Sequence, residues 1–173
     1  MTDDAVPERA ARAFDAHDAF EQADDGYELT TVAFDAVVTA DETDDWALAY
    51  TLVVRAPMLS SAVDGEVGDA VEAGWFDTFE RRLEDAPTVT RTDVELDDLT
   101  LTEVDGEAVA EFAFTFGNAD RVPDLAKAFA EYVEGTYVEG VVPGYDYEGV
   151  VADLMGSAAS AGGSDGERGG TPL

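Results

Sequence analysis

The sequence lacks cysteine and contains a single histidine, His17. Without cysteine there is no disulfide, no thiolate zinc site and no cysteine nucleophile, and one histidine cannot build a multi-histidine metal site. Isoleucine is also missing, and no run of about 18 apolar residues occurs that would indicate a helix crossing a bilayer. These absences predict a chain without covalent cross-links, without a metal centre and without membrane contact.

Positive charge is scarce as well. The 173 residues carry 9 lysines and arginines, of which only Lys127 is a lysine, against 40 aspartates and glutamates, for a formal net charge of −31. Binding to nucleic acid needs a basic patch that neutralises phosphates, so this composition predicts no nucleic-acid partner. The acidic residues are spread along residues 1–153. We interpret them as an adaptation to molar salt, where the Debye length falls to about 3 Å; the alternative is an acidic surface for a basic partner.

Abundant Asp and Glu, one Lys and many Ala, Val, Thr and Gly give the chain a composition that resembles haloarchaeal cytoplasmic proteins. The first residues, MTDDAVPERA, lack the basic and apolar regions of a signal peptide, so we expect a cytoplasmic location. The segment VEGVVPGYDYEGVVADLM, residues 138–155, resembles a family of uncharacterised haloarchaeal proteins. That resemblance implies no activity and no site residues.

Hydrophobic periodicity predicts the secondary structure. Apolar residues at a spacing of two predict strands, and those at helical spacing predict helices. The predicted strands cover residues 27–40, 46–54, 88–96, 99–104 and 109–116. A change of parity within the first of them predicts a bulge or bend near Thr31. The predicted helices cover residues 6–18, 64–85, 120–140 and 147–159. The polar loop 40–45 and the dipeptide Asp105-Gly106 are typical of hairpin connections, so the sheet is expected to be mainly antiparallel.

Helices that alternate with hairpins predict an α+β fold, a two-layer sandwich with the helices packed on one face of the sheet. We expect residues 1–155 to form a single domain and the Gly/Ser-rich residues 156–173 to form a disordered tail. The order of helices and strands resembles the type III secretion chaperones and the YbjN-like proteins. This resemblance implies a chaperone-like domain and carries no motif with it.

No residue pattern predicts catalysis or a cofactor. The glycines form no phosphate-binding loop, and the acidic pairs match no calcium-binding loop. His17 lies on the apolar stripe of the first predicted helix. A lone histidine there is a general base or, more simply, a residue at the margin of the core. We therefore predict no catalytic, metal-binding or cofactor-binding residues.

The segment between the last two predicted helices is the most individual part of the sequence. It holds Tyr137, Pro143, Tyr145 and Tyr147, and aromatic residues on a loop are typical of a partner surface. The alternative is that the tyrosines pack over the open edge of the core. Pro143 followed by glycine predicts a type II turn.

Two functional hypotheses follow. The first is a non-enzymatic interaction or chaperone-like module that binds a partner protein or a second copy of itself. The second is a small-molecule-binding or enzymatic α+β domain with a cavity between sheet and helices. In the second hypothesis the cavity is lined by aromatic residues: Trp46, Tyr50, Trp75, Phe112 and Phe114.

Overall fold

The computed structural model describes residues 6–169. Within this range the chain forms five α-helices, two short 3₁₀ turns, a six-stranded sheet and a separate two-stranded ribbon. Every strand pair is antiparallel. The predicted α+β fold with a mainly antiparallel sheet is confirmed.

The strands are short at one edge of the sheet and long in its centre. The six-stranded sheet has the order β1-β2-β3-β4-β7-β6, and β5 pairs with β8 in the ribbon. The strand bounds are β1 Phe20–Gln22, β2 Tyr27–Leu29, β3 Asp35–Glu42, β4 Leu48–Pro57, β5 Val63–Asp64, β6 Asp98–Val104, β7 Glu107–Phe116 and β8 Asp146–Tyr147.

The helices differ greatly in length. Their bounds are α1 Glu8–Asp15, α2 Leu59–Ala62, α3 Asp69–Leu83, α4 Val122–Glu139 and α5 Gly149–Gly169, and the 3₁₀ turns are Ala86–Val89 and Ala119–Arg121. The predicted helix over 120–140 agrees with α4. Asn118 caps the 3₁₀ turn before it, because its side chain accepts a hydrogen bond from the backbone N–H of Asp120.

One face of the sheet forms the core. Along β4 the residues at even positions are buried, from Leu48 to Ala56, while those at odd positions are half-buried or exposed. The register pairs Leu52 with Val38 on one side and with Phe112 on the other, so the apolar residues of β3, β4 and β7 share this face. Because of this alternation, the central hairpins could be predicted from the sequence.

Helix α4 lies at the centre of the helical layer. Half of its 18 residues are buried, and its Phe129 stacks on Phe112 with ring centroids 5.7 Å apart. Phe114 meets the same ring edge-on at 5.5 Å. Small core residues such as Ala110 and Ala126, neither more than 1% exposed, help the backbones to approach closely.

Several stretches differ from the sequence prediction. The predicted strand 27–40 divides into β2 and β3 around the position of the expected bend near Thr31, and β1 pairs with β2 as an additional short strand that was not predicted. Residues 88–96, predicted as extended strand, contain the end of a 3₁₀ turn and irregular backbone. Val94 in this stretch is buried, but no strand of the described sheet pairs with it. The alternation of apolar residues alone therefore predicted a strand wrongly here.

The C-terminal region also differs from the predicted tail. Helix α5 continues through residues 156–169, where alanines at 158, 159 and 161 are good helix formers. Its first turn is held by Val151, which is fully buried in the core. The end of the predicted tail, residues 170–173, lies outside the described residues, and the disorder of the tail stays a prediction.

Candidate docking groove

A groove separates the N-terminal half of α3 from β6. Its volume is about 490 Å³, and its walls come from α3 on one side and from β6 on the other. We call it the α3–β6 groove. Its lining residues are Met58, Asp69, Glu72, Ala73, Phe76, Asp77, Leu101, Thr102 and Glu103.

The floor of the α3–β6 groove is apolar. Met58 and Leu101 are buried, and Phe76 on α3 is half-buried and packs against the core. Trp75, the residue before Phe76, points into the core and stacks on Phe79. Helix α3 thus directs one aromatic side chain inward and leaves the next at the groove.

The rim of the groove is acidic. Asp69, Asp77 and Glu103 are exposed, and Glu72 is half-buried. The lining residues include no lysine, arginine or histidine. Such a lining attracts a positively charged ligand with an apolar part.

Hydrogen bonds fix the wall that α3 contributes. The carboxylate of Glu72 accepts a 2.7 Å hydrogen bond from the backbone N–H of Ser60 in α2. The backbone N–H of Met58, at the end of β4, donates to the carbonyl of Gly106 in the β6–β7 turn at 2.9 Å. The start of α3 and the end of the β6–β7 hairpin are therefore both tied to the segment that follows β4.

The groove lies beside a free strand edge. β6 is the last strand of the sheet order, so within the described residues its outer edge pairs with no other strand. The strand is seven residues long, whereas β1 at the opposite edge has three. A long unpaired edge presents backbone N–H and C=O groups that are able to pair with another chain.

The structure separates the residues that the sequence placed in one candidate surface. Tyr137 is 0% exposed and donates a 2.9 Å hydrogen bond to the carbonyl of Pro57. Burial raises its pKa, and the neighbouring Tyr147 and Glu72 raise it further. Tyr137 therefore belongs to the core and cannot form part of a surface, because the buried stripe of α4 continues to this residue.

The other three residues of that candidate surface lie between α4 and α5, Pro143 and Tyr145 in a loop and Tyr147 in β8. Pro143 is exposed, while Tyr145 and Tyr147 are half-buried. The Tyr147 hydroxyl donates to the carbonyl of Val142 at 2.6 Å and accepts from its N–H at 2.8 Å. Burial raises the pKa of Tyr147, and its backbone hydrogen bond with Val142 lowers it in part. Gly144 has φ 96°, the positive value that a type II turn requires after proline.

His17 joins two helices. Its Nδ1 accepts a 3.2 Å hydrogen bond from the backbone N–H of Ala19, so Nε2 carries the proton and donates to Asp124 at 2.8 Å. Asp124 is in the first turn of α4, and His17 follows α1. The contact ties α1 to the start of α4, and neither residue lines the α3–β6 groove.

The aromatic residues expected around an internal cavity lie elsewhere. Four of them, Tyr50, Trp75, Phe112 and Phe114, are buried in the packed core, and Trp46 is 71% exposed. None lines the α3–β6 groove. Trp46 instead lies under the guanidinium of Arg9, 5.8 Å from the ring centroid.

Among residues 6–159, whose side chains are described, no three acidic or histidine side chains converge as a metal centre needs. The same residues include no helix with the length and apolar composition that crossing a bilayer requires. Sequence reasoning missed the groove itself, since the residues that line it come from three separate segments. Phe76, an aromatic residue beside the main stripe of α3, was the one local signal of it.

Fold and groove together define an acidic α+β domain with one long open strand edge. Residues 15–157 match a family of unknown function (DUF5813), and the chain belongs to this family. No curated protein and no solved structure matches the chain. Membership in the family identifies the domain and assigns it no activity, ligand or partner.

Proposed function

We propose that this chain is a non-enzymatic interaction module and that it docks a partner protein in the α3–β6 groove. The observation that carries the proposal is the apolar floor of Met58, Phe76 and Leu101 beside the unpaired edge of β6. Apolar floors with polar rims are typical of protein docking sites.

The proposed setting is the salt-rich cytoplasm of a haloarchaeon. The net charge of −31 on 173 residues supports it, because self-repulsion of this size is tolerable only where salt screens it. A chaperone-like role is the narrower form of the proposal. The order of helices and antiparallel strands supports it by analogy alone.

A small-molecule-binding domain is the second candidate function. The volume of about 490 Å³ favours it, because ligand pockets commonly span roughly 300 to 1,000 Å³. Four carboxylates at the rim would select a cationic molecule such as a polyamine. The two functions differ in what the groove binds: a segment of a partner protein in the first, and one small cationic molecule in the second.

Site-specific photocrosslinking in haloarchaeal cells tests the docking function. A photoreactive amino acid at Ala73, which is exposed in the groove, should crosslink one defined protein. The matched control places the same amino acid at Glu84, which is exposed just beyond the end of α3 and does not line the groove. Phe76→Ala should abolish the crosslink at Ala73 while the circular dichroism spectrum stays unchanged.

The possible results separate the candidates. The same crosslinked proteins at both positions would contradict the docking function. A crosslinked product of twice the chain mass would identify a second copy as the occupant. Absence of crosslinks, together with a rise in melting temperature on addition of spermidine, would favour the small-molecule function.

A further inference from the structure

We infer that the occupant of the α3–β6 groove is an extended basic segment of the partner, which adds to β6 as a further antiparallel strand. This inference rests on the proposed docking function. It assigns the segment a pattern of basic and apolar residues at alternate positions, basic-x-apolar-x-basic.

The β6–β7 hairpin determines which backbone groups are free. Its turn residues Asp105 and Gly106 have φ 50° and 84°, the values of a type I′ turn. In such a hairpin the flanking pair, Val104 and Glu107, exchanges hydrogen bonds, and every second residue of β6 does the same with β7. The N–H and C=O groups of Leu99, Leu101 and Glu103 therefore point away from β7, toward the outer edge.

The outer edge of β6 pairs with no strand of the described sheet, and its residues favour a positively charged partner. β6 contains no proline or lysine, the residues that commonly block such edges. It carries Asp98 and Glu103 near its two ends instead. Molar salt screens charges at a distance, but side chains of an added strand would touch these carboxylates directly. A basic segment would form ion pairs with them, whereas the acidic edge of a second copy of this protein would not.

An added strand would direct alternate side chains into the groove. The side chain of Leu101 faces the core, because its cross-strand partner Ala110 is buried there. A residue placed opposite Leu101 points to the same side, toward Phe76 and Met58, where an apolar side chain is favoured. Residues two positions away on either side point the same way and meet the acidic rim.

The rim supplies carboxylates from both walls of the groove. Glu103 comes from β6, while Asp69 and Asp77 come from the first and third turns of α3. Because Glu72 already accepts the hydrogen bond from Ser60, the exposed Asp69, Asp77 and Glu103 are the more available partners. Arginine or lysine at the two flanking positions completes the recognition pattern.

A labelled peptide, Thr-Arg-Thr-Leu-Thr-Arg-Thr, tests the inference by fluorescence anisotropy with the full chain. Backbone N-methylation of Arg, Leu and Arg removes the N–H groups that would face β6, and N-methylation of the threonines removes those that face away. We expect the first peptide to lose about tenfold or more in affinity, since three backbone hydrogen bonds to β6 are lost. The second should bind like the parent.

Two variants of the chain complete the test. Glu103→Pro removes one outward N–H and should weaken the parent peptide about tenfold, whereas Glu103→Gln removes only the charge and should weaken it less. Equal binding of all three peptides would overturn strand addition and leave docking intact. No binding of the parent peptide would overturn the inference, and the Ala73 crosslink would still decide the proposed function.

Discussion

The hydroxyl of Tyr137 donates a hydrogen bond of 2.9 Å to the carbonyl oxygen of Pro57, joining α4 to the end of β4. Tyr50 is just as deeply buried, yet its hydroxyl has no partner among the described residues. The two tyrosines form a natural comparison. Phenylalanine can replace either side chain, and only the replacement of Tyr137 removes a hydrogen bond.

We expect Tyr137→Phe to lower the free energy of unfolding by about 1 kcal/mol, the net contribution of a typical buried hydrogen bond. Tyr50→Phe should be neutral or stabilising, because it removes a buried polar group that has no partner. Urea unfolding in concentrated KCl measures both. A loss of equal size in the two variants would show that Tyr50 has a partner such as a bound water.

Stability should fall at alkaline pH. Burial raises the pKa of Tyr50 from 10.0 to about 12, and it also raises the pKa of Tyr137. Between these limits the unfolded chain loses the tyrosine proton first, so the stabilisation is complete below pH 10 and is lost as pH rises through the folded pKa. Each such tyrosine contributes about 1.4 kcal/mol per pH unit in that window. Unfolding free energies measured across the window should decline less steeply in Tyr50→Phe; an unchanged slope would contradict this origin.

Glu134 on α4 holds the segment before β3. Its carboxylate accepts hydrogen bonds from the backbone N–H groups of Ala33 and Phe34, the latter at 3.1 Å. Glu134→Ala should lower the free energy of unfolding by about 2 kcal/mol, because two donors lose a charged acceptor.

The matched control is Glu131→Ala, one turn earlier on the same helix. Glu131 forms an i,i+4 ion pair with Lys127 at 2.7 Å, with both side chains partly exposed. Such pairs contribute about 0.5 kcal/mol or less. Equal losses in the two variants would contradict the anchoring role of Glu134.

Salt should restore the folded state. At 0.1 M the Debye length is about 10 Å, so charges on one domain repel each other, and at 1 M it falls to about 3 Å. With a net charge of −31, the chain should lose its near-ultraviolet circular dichroism in dilute buffer and regain it as KCl is added. A spectrum independent of KCl concentration would contradict the salt adaptation.

The hairpins and the central helix were predictable because their buried residues recur at a regular spacing in the sequence. Alternation along β4 and β7 and the stripe of α4 survive unchanged in the structure. The stripe of α3 held only in part: Trp75, Phe79 and Leu83 are buried, but Val71 is 39% exposed. The first turns of α3 extend beyond the core and form the groove wall. Their exposure depends on packing between residues that are far apart in the sequence.

The site could not be predicted in the same way. Leu99 and Leu101 alternate with threonines as an inner strand would, so the pattern of β6 does not show that it ends the sheet. Strand order comes from long-range pairing, which a local period does not encode. The surface prediction for Tyr137 was wrong for a different reason. Its position on the apolar stripe of α4 favours burial, but its nearness to the following loop suggested a surface.

The β5–β8 ribbon sets an order of events during synthesis. β5 stands between α2 and α3, yet its partner β8 lies near the C-terminus, with Val63 opposite Tyr147. A chain still emerging from the ribosome therefore has α3 before it has the strand that secures the segment leading into α3. Because a domain folds as a unit, the groove wall would be completed only after β8 has emerged. Engagement of a partner would then be restricted to finished molecules.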